Sequence, residues 1–553
     1  MPADLIILNG RLITFDPDRP AARALAISGG TITAVGSETD IRALQGPDTQ
    51  VIDAQGGSVL PGFIESHIHL FGGAVELDLL NLSGIHDADQ AARALRARAV
   101  AEPDAPLVMG MCADYAMLGG APITRHALDA IIADRPLAVM AADHHTVWAN
   151  TAALDLSGLL HGAEMPPGNI VEMGEDGLAT GALLEFAAYL PVLAHTPTGG
   201  REYLGLVNGS NPIETPTAAQ RATDKAALLR GLNFLAENGI TSFHNMDGNL
   251  YQMELLQELL DDGHHIARGE IPLHIANADP MDRLDEAADM QSYNSDWLWS
   301  NRLKLFADGV LDSGTALMTE PYPDQGGSRG TPLFETVHMN ELVARADAMG
   351  LQVSVHCVGC GAVRQVLDAY ENARRINGIR DSRHRIEHIE SLHPDDLPRF
   401  RELGVVASMQ PLHSPRGGFF SAYGPGEVLH DHQRPRAFPW RDLRDSGAHL
   451  IFSTDWPVVP LPVMPTIQGA VTPVPLGPDW GADQRQTLME CLASYTRDTA
   501  WVEFNEDRKG RLRPGMMGDV VIMPDDLEAM DPGALATARP AATICAGRVT
   551  YRA

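Results

Sequence analysis

Six side chains able to bind metal fall at or near the ends of apolar, strand-like segments. His67 and His69 close Pro61-Gly62-Phe63-Ile64-Glu65-Ser66-His67-Ile68-His69. Lys304 stands between leucines in Arg302-Leu303-Lys304-Leu305-Phe306-Ala307-Asp308-Gly309. His356 ends Val353-Ser354-Val355-His356, His388 ends Arg385-Ile386-Glu387-His388, and Asp455 lies in Phe452-Ser453-Thr454-Asp455-Trp456-Pro457. Side chains alternate in an extended chain, so His67 and His69 face the same way. Two imidazoles on one side of a buried strand end can chelate one metal ion. Singly, each residue has a plainer reading: a hydrogen-bonded histidine, an aspartate capping a helix, a lysine snorkelling outwards. Their recurrence at corresponding places on different strands favours the metal site.

Such residues converge only if their strands are neighbours. Candidate strands at 59–64, 240–244, 271–275, 303–307, 352–356, 384–388, 404–408 and 449–453 alternate with helical stretches such as 218–238, closed by Gly239. This alternation predicts an α/β fold, a (β/α)8 TIM barrel over residues 59–504, with its site at the C-terminal strand ends. Residues 72–215 exceed one βα unit and carry their own strands at 106–111 and 137–142. They predict a large insertion after strand one that covers the site and shapes substrate choice. Short strands before residue 60, punctuated by Asn9-Gly10, Asp16-Pro17 and Gly29-Gly30, carry hairpin signals. Similar strands near the C-terminus predict one discontinuous β-sandwich domain from residues 1–58 and 505–553.

The ordered set of four histidines, lysine and aspartate resembles the amidohydrolase superfamily. It is most similar to the long-insertion branch, amidohydrolase family 3, whose N-acyl and N-formyl amide hydrolases share Lys-Leu-Phe-Ala-Asp-Gly and Arg-Ile-Glu-His. The resemblance spans nearly the whole chain, from Pro61-Gly62-Phe63-Ile64 to Gly518-Asp519-Val520-Val521. It implies two divalent metal ions, with zinc the expected metal for imidazole and carboxylate ligands. By resemblance, His67, His69 and Asp455 hold the more buried ion and His356 and His388 the more exposed one. Lys304, carboxylated by carbon dioxide, bridges them. The last point has its own physical support, because an ammonium facing two cations is repelled, whereas a carbamate is an anionic oxygen ligand. The implied reaction is hydrolysis of an amide-type C–N bond in a small molecule by a metal-activated hydroxide, with Asp455 as base.

A second tier rests on the same resemblance. His145, in Asp143-His144-His145-Thr146-Val147-Trp148-Ala149-Asn150, is implied to act on the substrate carbonyl. Glu185 and Asp308 match family segments and are implied to contact substrate or support the site, whereas Gln410 and His413 are placed only by their position after strand seven, as residues lining the pocket, with Gln410 expected to contact substrate. Two departures stand out. Cys360-Gly361 replaces an Asp-Arg pair of relatives, and Gly314 replaces an arginine, so the pocket is less suited to an anionic substrate. The single Cys357/Cys360 pair cannot complete a four-thiolate zinc site and reads as packing.

Bulk properties agree. The chain has 553 residues, 44% hydrophobic and 20% charged, enough for a large core. A net charge of −31 argues against nucleic-acid or anionic-membrane partners. No basic stretch precedes the first apolar run, so no signal peptide is expected. Five sparse cysteines fit a reduced, cytoplasmic protein. A homo-oligomer is common for such enzymes. Alternatives on the same barrel are a cyclic amide hydrolase or a deaminase. Single-metal deaminases typically lack the bridging lysine, so Lys304 counts against them. A non-enzymatic scaffold would have lost ligands that this chain retains.

Overall fold

The computed structural model describes residues 2–142, 144–166, 169–323, 325–419, 428–477, 480–481 and 483–553. They divide into two compact units, residues 1–69 with 232–553, and residues 70–231.

The first unit holds a parallel (β/α)8 TIM-type barrel. One parallel run orders Leu298–Trp299, Arg268–Glu270, Ile240–Asn245 and Phe63–Ile68. The other orders Leu273–His274, Arg302–Phe306, Gln352–Cys357, Arg385–His388, Val406–Met409 and His449–Phe452. Strands three and four are each broken in two. Between Arg268–Glu270 and Leu273–His274 stands Pro272, which has no N–H to give a ladder. The ring closes where Ile68 bridges Trp456 in parallel and Ser66 Oγ donates to Phe452 O at 3.2 Å.

The first barrel strand differs from its expected span of 59–64. Ser58–Pro61 pairs instead with Arg11–Ile13 and Val520–Ile522, and the barrel strand begins at Phe63. Gly62 makes the break, since a Cβ there would lie 2.2 Å from Thr241 Oγ1. His67 therefore lies inside its strand rather than after it.

Both chain ends meet in one sheet, ordered Arg548–Arg552, Ala542–Cys545, Val520–Ile522, Ser58–Pro61, Arg11–Ile13 and Ala21–Ala22. A second sheet orders Thr31–Gly36, Ala24–Ser28, Leu5–Leu8 and Gln50–Asp53. Leu5, Ile7, Leu25, Ile27, Val520 and Ile544 share one apolar cluster between them. The Gly29-Gly30 turn forms the expected hairpin, pairing Ser28 with Thr31. Asn9-Gly10 does not. Leu5–Leu8 and Arg11–Ile13 lie in different sheets, because Leu5–Leu8 is already flanked by Ala24–Ser28 and Gln50–Asp53.

Helix Cys360–Asn377 shows how the barrel layers lock. Ala362, Val363, Val366, Leu367, Ala369, Tyr370 and Ala373 recur at helical spacing and are buried, and Gly378 (φ 88°) ends the helix. Tyr370 Oη donates to Val353 O at 3.2 Å and Arg385 O at 2.7 Å, clamping the strands that carry His356 and His388. No helix among the described residues is long and apolar enough to cross a membrane.

The second unit, residues 70–231, is built on a mixed sheet ordered Ile170–Met173, Ala179–Leu184, Thr146–Ala149, Leu137–Ala141, Val108–Ala113 and Leu80–Asn81. Alternate residues feed two apolar clusters: Met109, Ala138 and Met140 join one, and Val108, Leu137 and Val139 the other. Glu202 is buried in this unit. Burial pushes its carboxyl up to about 7, only partly offset by a hydrogen bond with Thr198. Because the folded value lies above the unfolded one, this group's contribution is fully favourable below about pH 4.5 and is lost as pH rises through 7. Glu202→Gln should therefore be more stable than wild type by about 3 kcal/mol at pH 8 and nearly equal at pH 4. Denaturant titrations at both pH values check this, and a difference independent of pH refutes it.

Candidate metal centre

The barrel interior is strongly polar. Glu65, Lys304, Arg302, Arg385, Glu387 and His244 are all essentially inaccessible to solvent. Charges so buried persist only when paired or when they bind something.

His67, His69 and Asp455 come together at the junction of strands one and eight, where Asp455 N donates to His67 O at 2.9 Å. Asp455 Oδ1 lies 3.3 Å from His67 Nε2 and 3.1 Å from His69 Nε2, yet no hydrogen bond among the described residues satisfies it. These are spacings expected of atoms that share an ion. Metal bonds of about 2.1 Å at tetrahedral angles set donor atoms about 3.4 Å apart. The other nitrogens are taken: His67 Nδ1 donates to Glu387 Oε2 at 2.8 Å, and His69 Nδ1 to Asp247 Oδ1. Both Nε2 atoms thus face Asp455.

The electrostatics also call for a cation here. Burial works to lower His69, but Asp247 and Asp455 on its two nitrogens push it up to about 10. Burial works to raise Asp455, but His67 and His69 hold it well below the usual carboxylate range. Glu387 behaves likewise: burial opposes its charge, while Arg385 and His67 hold it low.

A second group joins Asp455 to His388 and His413, with donor atoms within 4.8 Å of one another. Asp455 Oδ2 lies 3.9 Å from His388 Nδ1 and 3.7 Å from His413 Nε2. The His388 and His413 rings stack at 5.8 Å between centroids. His356 packs edge-on against His388 at 4.4 Å and donates from Nε2 to Gly309 O at 3.1 Å, which leaves Nδ1 for a metal. Burial, then Lys304, pushes His356 down to about 3, so its imidazole is neutral at pH 7. His388 is also pushed well down, by burial and by His356.

Lys304 lies in register with Ser354 on strand five. It is fully buried, and among the described residues its Nζ has no hydrogen-bond partner. Burial pushes it down to about 8, although Glu387 and Asp455 pull the other way. A neutral amine is the form that reacts with carbon dioxide. The donor set and these two orphaned atoms, Asp455 Oδ1 and Lys304 Nζ, fit a site for divalent cations.

Two backbone positions are strained at the same place. His388 has φ 76° and Asp455 φ 65°. Left-handed backbone costs a non-glycine residue about 1–2 kcal/mol and recurs where surrounding structure imposes it, often at functional sites.

The second-tier residues have distinct placements. Asp308 spends its carboxylate on backbone N–H groups of Leu317 (2.8 Å), Val358 (3.0 Å) and Gly359 (2.8 Å), tying together the loops after strands four and five. Gln410, expected among substrate contacts, accepts from His388 Nδ1 at 2.9 Å and donates to Ser453 Oγ at 2.9 Å. It orients a histidine. Cys357 and Cys360 are buried free thiols, and burial raises Cys357 well above the ordinary thiol range. In the second unit, His145 Nδ1 donates to Glu185 Oε1 at 3.1 Å, and both side chains are about half exposed. Glu185 has φ 68° and ψ 159°, a region rarely occupied except by glycine.

Asp247 and the carboxylate role of Glu387 escaped sequence reasoning. Glu387 lies within Arg385-Ile386-Glu387-His388, and its position beside His388 is the signal the sequence carries. Asp247 offered none, since it meets His69 across 178 residues of chain.

Comparison with known proteins places these features in context. The chain is 27% identical over 535 residues to Protein LONG AFTER FAR-RED 3 of Arabidopsis thaliana, covering 94% of this chain and 87% of that protein. It is 27% identical over 557 residues to N-substituted formamide deformylase of Arthrobacter pascens, covering 95% and 94%. The fold matches an uncharacterized metal-dependent hydrolase from Pyrococcus horikoshii with a TM-score of 0.74 at 23% identity, over 96% of this chain and 99% of that one. The amidohydrolase family model matches residues 50–551. The chain therefore belongs to the amidohydrolase family, as a metal-dependent hydrolase of C–N bonds other than peptide bonds.

Proposed function

We propose that this protein hydrolyses a small, uncharged N-acyl or N-formyl amide at a two-metal centre, with zinc as the metal. The observation that carries this reading is Lys304 Nζ, fully buried and without a hydrogen-bond partner among the described residues. A lysine placed there is costly unless converted to something the site can use.

His67 and His69, through Nε2, and Asp455 would hold one ion, and His356 and His388 the other. Lys304 Nζ would add to the carbon of carbon dioxide with loss of a proton, giving a carbamate whose oxygens are anionic ligands. The ions, when bound, would supply Lewis acidity toward the substrate carbonyl and a water of lowered pKa. Asp455 accepts the proton of the attacking water and passes it to the leaving amine. The family resemblance assigns His145, which Glu185 holds within its own unit, to the carbonyl oxygen on which charge develops. The deformylase relative supports an N-formyl substrate. Gly314 and Cys360-Gly361 leave those positions without a guanidinium, which favours an uncharged acyl group.

Elemental analysis should find about two metal ions per chain, and N-formyl amides should release formate. A chain that stays metal-free after zinc is supplied sinks the reading. One ion with ammonia as the product favours a deaminase.

A further inference from the structure

The two imidazoles that face Asp455 are each held from behind by a buried carboxylate. Glu387 Oε2 accepts from His67 Nδ1 at 2.8 Å, and Asp247 Oδ1 accepts from His69 Nδ1. Neither carboxylate is among the metal-ligand candidates, and both are at most 1% exposed. We propose that Glu387 and Asp247 are positioning residues that lock both histidines with Nδ1 protonated, so that both Nε2 lone pairs are offered to the ion beside Asp455.

This deepens the two-metal reading and rests on it for its functional meaning, but the lock itself can be tested without metal. Glu387 is the more constrained of the two. Its Oε1 accepts from Ser354 Oγ at 2.5 Å and lies 2.9 Å from Arg385 Nε. Arg385 in turn donates to Ser66 O at 2.8 Å and Ser408 Oγ at 3.0 Å, and reaches His244 Nδ1 at 3.0 Å. Glu387 Oε2, the oxygen that faces His67, also accepts from Arg385 Nη2 at 3.1 Å, so a glutamine can keep its amide oxygen on both donors. A methionine at position 387 fills similar space and offers His67 Nδ1 no acceptor. The ring answers by carrying its proton on Nε2, 3.3 Å from Asp455 Oδ1, where the lone pair for a metal is lost. The motif residues Arg385 and Glu387 then serve a single end: one neutralises the other, and the second orients His67.

Two measurements decide the matter. The first is zinc affinity of the whole chain by competition with a chelator. Glu387→Met and Asp247→Leu should each bind about 10–100-fold more weakly than wild type. The second is protonation of Nδ1 in metal-free protein labelled with 15N-histidine, the His67 signals being identified by their loss in His67→Asn. Wild type should show a proton on Nδ1 of His67, and Glu387→Met should show Nδ1 bare and the proton on Nε2. A merely structural glutamate would change thermal stability and leave the Nδ1 proton in place. A retained Nδ1 proton on His67 in folded Glu387→Met overturns the lock, whether or not zinc binds, so its failure is distinct from failure of the metal reading. If Glu387→Met does not fold, Asp247→Leu applies the zinc readout and the loss of the Nδ1 proton to His69 with the Arg385 network intact.

Discussion

Asp455→Asn folds and loses at least about a thousandfold in turnover. The substitution keeps the shape of the side chain and removes the carboxylate that, among the described residues, joins the two sets of histidines and can take a proton there. Asparagine is the right replacement for a second reason. Position 455 has φ 65°, which asparagine tolerates better than most residues, so the backbone is not further strained. The loss is therefore chemical. Asp455 faces His67 Nε2 and His69 Nε2 through one oxygen and lies 3.7 Å from His413 Nε2 through the other. An amide presents at most one anionless acceptor to these groups and cannot carry the proton of the attacking water. Steady-state kinetics beside circular dichroism and metal analysis check the result. Wild-type activity in a folded Asp455→Asn would remove Asp455 from the mechanism.

Lys304→Met gives the other large effect, and it points in two directions at once. Metal content falls from about two ions per chain to one or fewer, and turnover falls by at least about a thousandfold. The metal-free variant, by contrast, is more stable than metal-free wild type by about 1–3 kcal/mol. Lys304 Nζ is buried without a hydrogen-bond partner among the described residues, and burial already pushes its amine down to about 8. Methionine fills similar volume with no group to desolvate. A lysine kept for stability would show the reverse sign, and a lysine irrelevant to metal would leave occupancy unchanged. Short carboxylic acids added to Lys304→Ala should restore part of the activity, since a free carboxylate can occupy the space of a carbamate. Chelator-treated protein, compared by denaturant titration, supplies the stability readout.

Both results would place the centre among sites that carry local instability in exchange for chemistry. The strained backbone at His388 and Asp455 and the unsatisfied atoms Lys304 Nζ and Asp455 Oδ1 lie on the same few segments. Around them, strands of the first unit bury Ile6, Leu25, Val59 and Val521, and amphipathic helices cover the barrel.

Much of this was legible in residue order. Apolar runs that close on histidine or aspartate mark strands covered on both faces, while Glu65, Lys304, Arg385 and Glu387 within those strands make the barrel interior polar. Local rules failed where a neighbour far along the chain intervened. The run at 59–64 looks like one strand, but Gly62 abuts Thr241 and divides it between two sheets. Asn9-Gly10 has hairpin chemistry, but the flanks of Leu5–Leu8 are filled by other strands. Gln410 reads as a pocket residue until His388 and Ser453 are seen to occupy both ends of its amide.

The kinds of side chain available to a metal, and the strand ends that carry them, follow from the linear chain, because burial and alternation are periodic and short-ranged. Which nitrogen of each imidazole faces the centre does not. Glu387 meets His67 across 320 residues and Asp247 meets His69 across 178. A hydrogen bond fixes direction to within an atom, and no periodicity in the sequence encodes a partner at that distance. Closure of the barrel brings those carboxylates behind the histidines and turns six suitable residues into a centre with oriented lone pairs.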